Sequence, residues 1–220
     1  NEPNRPIPSG RMPGNWGLKI ALGMTVLALG LGWQLGIWGF IATIIAALAA
    51  WAYSIEPIRL KRSGIWGPGL VGICYEGIPW FTGAAVMLQA FPDTKIILVA
   101  IAYAIGAHGI MTLNDFKALK GDKALGINSL PVQLGPERAA KIACYVMAIP
   151  QILVVTFLFA WGLTTFSIFI LLLVIGQILA MRRLLSDPEK FAPWYNSTGV
   201  LMFVSGMMVC ALGLSQAVAQ

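Results

Sequence analysis

The sequence predicts an all-α integral membrane protein, a bundle of seven transmembrane helices. Three observations carry that expectation. Of 220 residues, 58% are hydrophobic and only 11% charged, against about 45–50% and about 25% in soluble domains. Apolar windows close to the ~20 residues that cross ~30 Å of hydrocarbon recur along the chain. These windows are continuous, which excludes a β-barrel built from alternating segments of about ten residues.

Taken in order, the first span covers 17–35 and the second 37–54, the latter closed by Tyr53-Ser54 and the helix-breaking Pro57. The third, 66–90, carries Gly77 and Pro79 in mid-run, where regular helix is expected to break. The fourth, 95–113, runs unbroken from Lys95 into the polar Asn114-Asp115. The fifth to seventh, 139–161, 164–182 and 195–217, are expected to carry almost no polar residues in their interiors and to wall off a cavity. Trp33, Trp38, Trp51, Trp161 and Trp194 fall near predicted helix ends and read as interfacial anchors. The chain opens at Asn1 in a polar, proline-rich stretch with no signal segment before it, so it is expected to be a fragment of a longer protein.

The net charge of +6 could suggest nucleic acid, but its distribution indicates orientation instead. If the spans alternate, 1–16, 55–65, 114–138 and 183–194 share one face, and all Lys and Arg except Lys95 lie in or beside those segments. By the positive-inside rule that face is cytoplasmic, and Arg182, Arg183 and Lys190 need no other role. Cys74, Cys144 and Cys210 stand singly in apolar runs, which indicates neither a disulfide framework nor a zinc site.

Acidic residues contribute little to topology, so those gathered after the fourth span need another explanation. Asp115 and Asp122 are seven apart and on a continued helix would share a face. Paired carboxylates with the neutral oxygen of Asn114 suit Mg²⁺, which fills its remaining positions with water and phosphate oxygens. Lys117, Lys120 and Lys123 add mobile positive charge. Taken alone, this loop reads equally well as a solvated helix cap. Two further loops on the same face bring arginines and lysines: Asn4 to Arg11, with Arg5 beside two prolines, and Tyr53 to Arg62, with Arg59 and Lys61. Cations at a helix C-terminus also complement its dipole, yet three loops offering phosphate ligands on one face exceed what capping requires.

The segments Arg5-Pro-Ile-Pro-Ser-Gly10, Tyr53-Ser54 through Lys61, Asn114-Asp115-Phe-Lys117 through Asp122, and Gly126-Ile-Asn-Ser-Leu-Pro-Val-Gln-Leu-Gly135 resemble the UbiA superfamily of intramembrane prenyltransferases, most of all its chlorophyll and bacteriochlorophyll synthase branch. Cys74 to Gly83 is similar to the bacteriochlorophyll form. The resemblance implies a nine-helix fold, of which the seven spans are helices three to nine, with 1–220 a single domain lacking the first two helices and the first of two aspartate-rich motifs. Asp115 and Asp122 belong to the second. Ala118 and Lys120 depart from the acidic residues found at those places in related enzymes.

The activity so implied is esterification of the propionate of bacteriochlorophyllide by geranylgeranyl or phytyl diphosphate. Asp115 and Asp122, with Asn114, are then expected to hold Mg²⁺. Arg5, Arg59, Lys61 and Lys117 are candidates for the diphosphate. Tyr53 could bond the leaving group or face the allylic cation with its ring, or serve as a belt tyrosine. Because a propionate is already ionised, no catalytic Ser, Cys or His is required. Glu76 sits deep in a span, where a charge costs at least ~2.5–3.5 kcal/mol. It is expected to line a tetrapyrrole pocket with Trp80, Phe81 and His108, although a glutamate protonated and bonded to a neighbouring helix fits nearly as well, and a histidine bonded within the bundle fits His108 better. The resemblance places the protein in the inner or intracytoplasmic membrane of a phototrophic bacterium, with other pigment-biosynthesis or photosystem-assembly proteins as partners. Competing expectations are chlorophyllide, protohaem or an aromatic ring as acceptor, and a pigment-assembly scaffold without catalysis. A small transporter would need ionisable residues deep in several helices.

Overall fold

The computed structural model describes residues 4–218. It contains seven helical rods long and apolar enough to cross a membrane. The first two are α1 (Asn15–Trp33) and α2 (Gly36–Ser54), joined by a tight turn and held together where Trp51 Nε1 donates to Thr25 Oγ1 at 3.1 Å. The third is composite: α3 (Trp66–Gly72), a π turn (Ile73–Gly77) and α4 (Ile78–Leu88). Gly77 and Pro79 disturb the helix as expected, but the rod continues. The Ile78 N–H reaches back five residues to the Ile73 carbonyl, and Pro79, which has no N–H to give, enters α4 within its first turn.

The fourth rod, α5 (Thr94–Asn114), is the axis of the bundle. Asp93 caps its start by accepting the Lys95 N–H at 2.7 Å. Its Val99, Tyr103 and Leu113 are buried against α8 (Pro136–Ala160) and α10 (Pro188–Val218). Small residues allow close approach where lipid supplies no hydrophobic drive: a Cβ on Gly72 would lie 2.3 Å from the Ala104 carbonyl oxygen. Between α5 and α8 lie a 3₁₀ turn (Asp115–Ala118), α6 (Leu119–Ala124) and α7 (Leu130–Leu134).

Two expectations are corrected. The last rod begins at Pro188 rather than 195, and α9 (Thr164–Ser186) runs past 182, so the anticipated 183–194 loop is largely helix. Prolines at the first turn of a helix tolerate this, because their missing N–H would be unbonded there anyway. Arg183, expected only to set topology, lies with its guanidinium 4.5 Å from the centre of the Trp194 ring and 4.8 Å from that of Phe191.

The later helices also carry more than apolar side chains. Gln151 of α8 and Gln177 of α9 are buried and exchange two amide hydrogen bonds of 3.0 Å each. A reciprocal amide pair satisfies itself, which is why hydropathy did not reveal it. Gln151→Leu is expected to cost about 1 kcal/mol by stranding the Gln177 amide, while Gln151→Leu with Gln177→Leu recovers most of the loss. Reversible unfolding in bicelles measures both; strictly additive losses would show that the amides are uncoupled.

Candidate active site

The ends of α2 and α5 and the segments that follow them enclose a polar cavity of about 200 Å³. After α2 the chain makes a 3₁₀ turn, Leu60–Arg62, and then pairs with the segment following α6. Asn128 N–H donates to the Arg62 carbonyl at 3.1 Å, and Gly64 N–H donates to the Asn128 carbonyl at 2.7 Å. This Ser63–Asn128 bridge clasps two loops that lie more than 60 residues apart in sequence. A Cβ at position 64 would fall 2.4 Å from Leu130 N and 2.7 Å from the Asn128 carbonyl oxygen, so the clasp requires glycine.

Asp115 opens the 3₁₀ turn and Asp122 lies in α6. The helix is not continuous α between them, yet both carboxylates line the one cavity, together with Tyr53 and Lys61. Asp122 is 6% exposed. Neither carboxylate forms an ion pair or a side-chain hydrogen bond among the described residues. Asp115 is half-buried and feels Lys117 from outside the wall, while Asp122 is buried. Carboxylates held out of water without a directly paired cation are costly, and a divalent cation would complete them. The donor set fits one: two hard oxygen ligands leave the remaining positions to water and a phosphate.

The cations divide between two places. Lys61 lines the cavity; burial first, then the neighbouring Arg59 and Arg62, holds its ammonium below the ordinary lysine range. Arg59 adopts a left-handed backbone conformation (φ 36°) and bonds Glu56, as does Arg62 at 3.0 Å. The hydrogen bond from Arg59 keeps Glu56 below the usual carboxylate range. Arg59 therefore lines a separate surface groove with Arg62 and Trp66. Lys117 and Arg5 are exposed and stand outside the cavity wall. Asn114 also lies off the wall, its Oδ1 accepting from Asn196 Nδ2 of α10 at 3.1 Å. Sequence reasoning did not single out Asn196, nor Ser63 and Ser129, which line the cavity. The Ser129-Leu-Pro131 start of α7 was the one local signal, and it pointed to Ser129 alone.

A larger, almost wholly apolar cavity of about 770 Å³ lies between α2, the α3–α4 rod and α5. Phe81 and His108 line it; Glu76 and Trp80 do not. Trp80 stacks on Tyr103 with ring centres 5.8 Å apart, and Glu76 is half-buried on the π turn. His108 Nε2 donates to the Ile65 carbonyl at 3.1 Å, which ties α5 to the start of α3.

The sequence profile of the UbiA prenyltransferase family matches residues 1–215. The chain belongs to that family. It is 64% identical to the bacteriochlorophyll synthase 33 kDa chain of Cereibacter sphaeroides over 214 residues, covering 97% of this chain and 71% of that one. Against the bacteriochlorophyll synthase 33 kDa chain of Rhodobacter capsulatus the identity is 59%, with the same coverages. A solved structure from work on digeranylgeranylglyceryl phosphate synthase in membranes superposes with a TM-score of 0.70 at 23% identity, over 97% of this chain and 74% of the other. That likeness shows the fold of this UbiA member to be the one expected, an all-helical, multi-pass membrane bundle. UbiA prenyltransferases generally use divalent metal ions.

Proposed function

We propose that this UbiA member is a Mg²⁺-dependent prenyltransferase that esterifies the propionate of bacteriochlorophyllide with geranylgeranyl or phytyl diphosphate. The observation that carries the reading is the 64% identity to a bacteriochlorophyll synthase across 97% of the chain. The two-carboxylate cavity supports it, because ionisation of an allylic diphosphate needs charge stabilisation at one polar spot beside hydrocarbon.

In this reading the allylic carbon–oxygen bond breaks with its electron pair leaving on pyrophosphate, and a propionate oxygen forms the new bond to that carbon. No proton has to move. Bound Mg²⁺ supplies positive charge where the leaving group becomes most negative. Asp115 and Asp122, which line the cavity, would hold the cation. Lys61 grips the diphosphate from the opposite loop, and Tyr53 donates to it or turns its ring toward the developing carbocation. Arg5, Arg59 and Lys117, outside the cavity, attract the polyanion to the basic face, which lies in the cytoplasm by the charge rule. The apolar cavity is within the ~300–1,000 Å³ usual for ligand sites and accepts a hydrocarbon-rich group, with Phe81 and His108 on its wall. The host membrane is that of a phototrophic bacterium, where pigment-biosynthesis proteins are its neighbours.

The reading is tested with the full-length protein in nanodiscs, geranylgeranyl diphosphate and Mg²⁺, offered bacteriochlorophyllide, chlorophyllide, protohaem or an aromatic quinone precursor in turn. The expected result is ester formation, fastest with bacteriochlorophyllide, with one pyrophosphate released per ester. A carbon–carbon product on the aromatic ring, with no ester, would overturn it.

A further inference from the structure

The hydroxyl of Ser129 stands out among the groups around the polar cavity. Ser129 is 4% exposed, lines the cavity with Asp115, Asp122 and Lys61, and its Oγ has no hydrogen-bond partner among the described residues. Its position makes that unusual. Ser129 is the N-cap of α7, where a serine hydroxyl normally accepts the N–H of the second or third helical residue.

Here neither N–H is available. The second residue is Pro131, which has none, and the Val132 N–H is taken by the backbone carbonyl of Ser129 at 3.0 Å. Ser63, the other serine on the wall, behaves differently: its Oγ accepts the Trp66 N–H at 3.2 Å at the start of α3. One serine is spent on its helix and the other is left uncommitted. The clasp fixes where the uncommitted one stands. Ser129 follows Asn128, whose carbonyl is bonded to Gly64 N–H, so it sits at the join between the loop that carries Lys61 and the loop that carries Asp122.

We infer that Ser129 Oγ–H is a hydrogen-bond donor to the substrate diphosphate, bridging the cation-binding carboxylates and Lys61. The inference rests on the prenyl-transfer reading and adds a binding residue to it. Buried polar groups in native proteins find partners, and this one is a buried, unpartnered donor on a residue lining a space that the reading fills with an anion rich in acceptor oxygens.

The probe is inorganic pyrophosphate with Mg²⁺, its binding to the full-length protein in nanodiscs measured by titration calorimetry, with Mn²⁺ binding followed separately by electron paramagnetic resonance. Ser129→Ala is expected to weaken pyrophosphate about tenfold or more, the scale of losing one hydrogen bond to a charged group. Mn²⁺ affinity should stay unchanged, and Ser129→Thr, which keeps the hydroxyl, should retain wild-type pyrophosphate binding. Should the alanine variant fold poorly, Ser129→Cys keeps the shape while offering only a weak donor and should show the same loss. Wild-type pyrophosphate binding in the alanine or cysteine variant would overturn the assignment, as would a threonine variant as weak as alanine. Wild-type protein that binds no pyrophosphate in the presence of Mg²⁺ would instead sink the prenyl-transfer reading, and the inference with it.

Discussion

Alanine in place of either Asp115 or Asp122 is expected to slow prenyl transfer by roughly 10²–10³-fold, the scale seen when one group aimed at developing charge is removed. The two carboxylates share one cavity, and neither has an ion-pair partner among the described residues. Each substitution should therefore abolish tight Mn²⁺ binding in resonance titrations. Stability should behave differently from activity: removing one of two carboxylates that repel each other on one cavity wall relieves repulsion and desolvation, so the melting temperature measured without metal should hold or rise. Unchanged turnover in the double variant would refute the assignment of the cavity as the metal centre. A fall in melting temperature parallel to the fall in activity would point to a structural role instead.

Gly64→Ala is expected to be nearly as damaging, by a different route. The added methyl would meet backbone atoms of Asn128, Ser129 and Leu130 at 2.4 to 2.8 Å, and the backbone cannot swing aside as a side chain can. The clasp must open, moving the Lys61 loop away from the Asp122 loop. A displacement of about 1 Å at a reacting centre can cost about a hundredfold in rate, and that is the loss expected here. Because Asp115 and Asp122 both lie on the same side of the clasp, opposite the Lys61 loop, Mn²⁺ binding should survive while pyrophosphate binding falls. Asn128→Ala keeps both backbone hydrogen bonds of the clasp and should be mild. Equal damage from the two substitutions would show that the side chain of Asn128, and not the backbone pairing, matters.

The membrane bundle was legible because hydropathy is a one-dimensional property: each span of some twenty apolar residues announces itself. So was the joint placement of Tyr53, Lys61, Asp115 and Asp122 at one end of the bundle, since alternating spans bring their loops to one side. Other features depend on what meets in space. Gln151 and Gln177 are 26 residues apart, and nothing local says that they find each other. Arg59 reads as a phosphate ligand from its neighbours in sequence, but Glu56 has already engaged it. Asn114 is expected as a metal ligand from its neighbours in sequence, while its bond to Asn196, 82 residues further on, has no local signal. The π turn keeps the third rod continuous by taking one residue too many into a turn, which no period in the sequence encodes. The free hydroxyl of Ser129 follows from Pro131 only once the register of α7 is known.

The fork that Glu56 makes with Arg59 and Arg62 has a consequence for the sequence of events at the cavity. By drawing two guanidinium groups onto a neighbouring groove, it leaves Lys61 as the one cationic side chain on the cavity wall among the described residues, with Lys117 acting on Asp115 from outside that wall. In the prenyl-transfer reading, two carboxylates against one ammonium on that wall favour a dication over a bare polyanion, so the metal is expected to arrive first or as escort to the diphosphate. On that reading Glu56 would bias the order of arrival from outside the chamber, through the two arginines it holds.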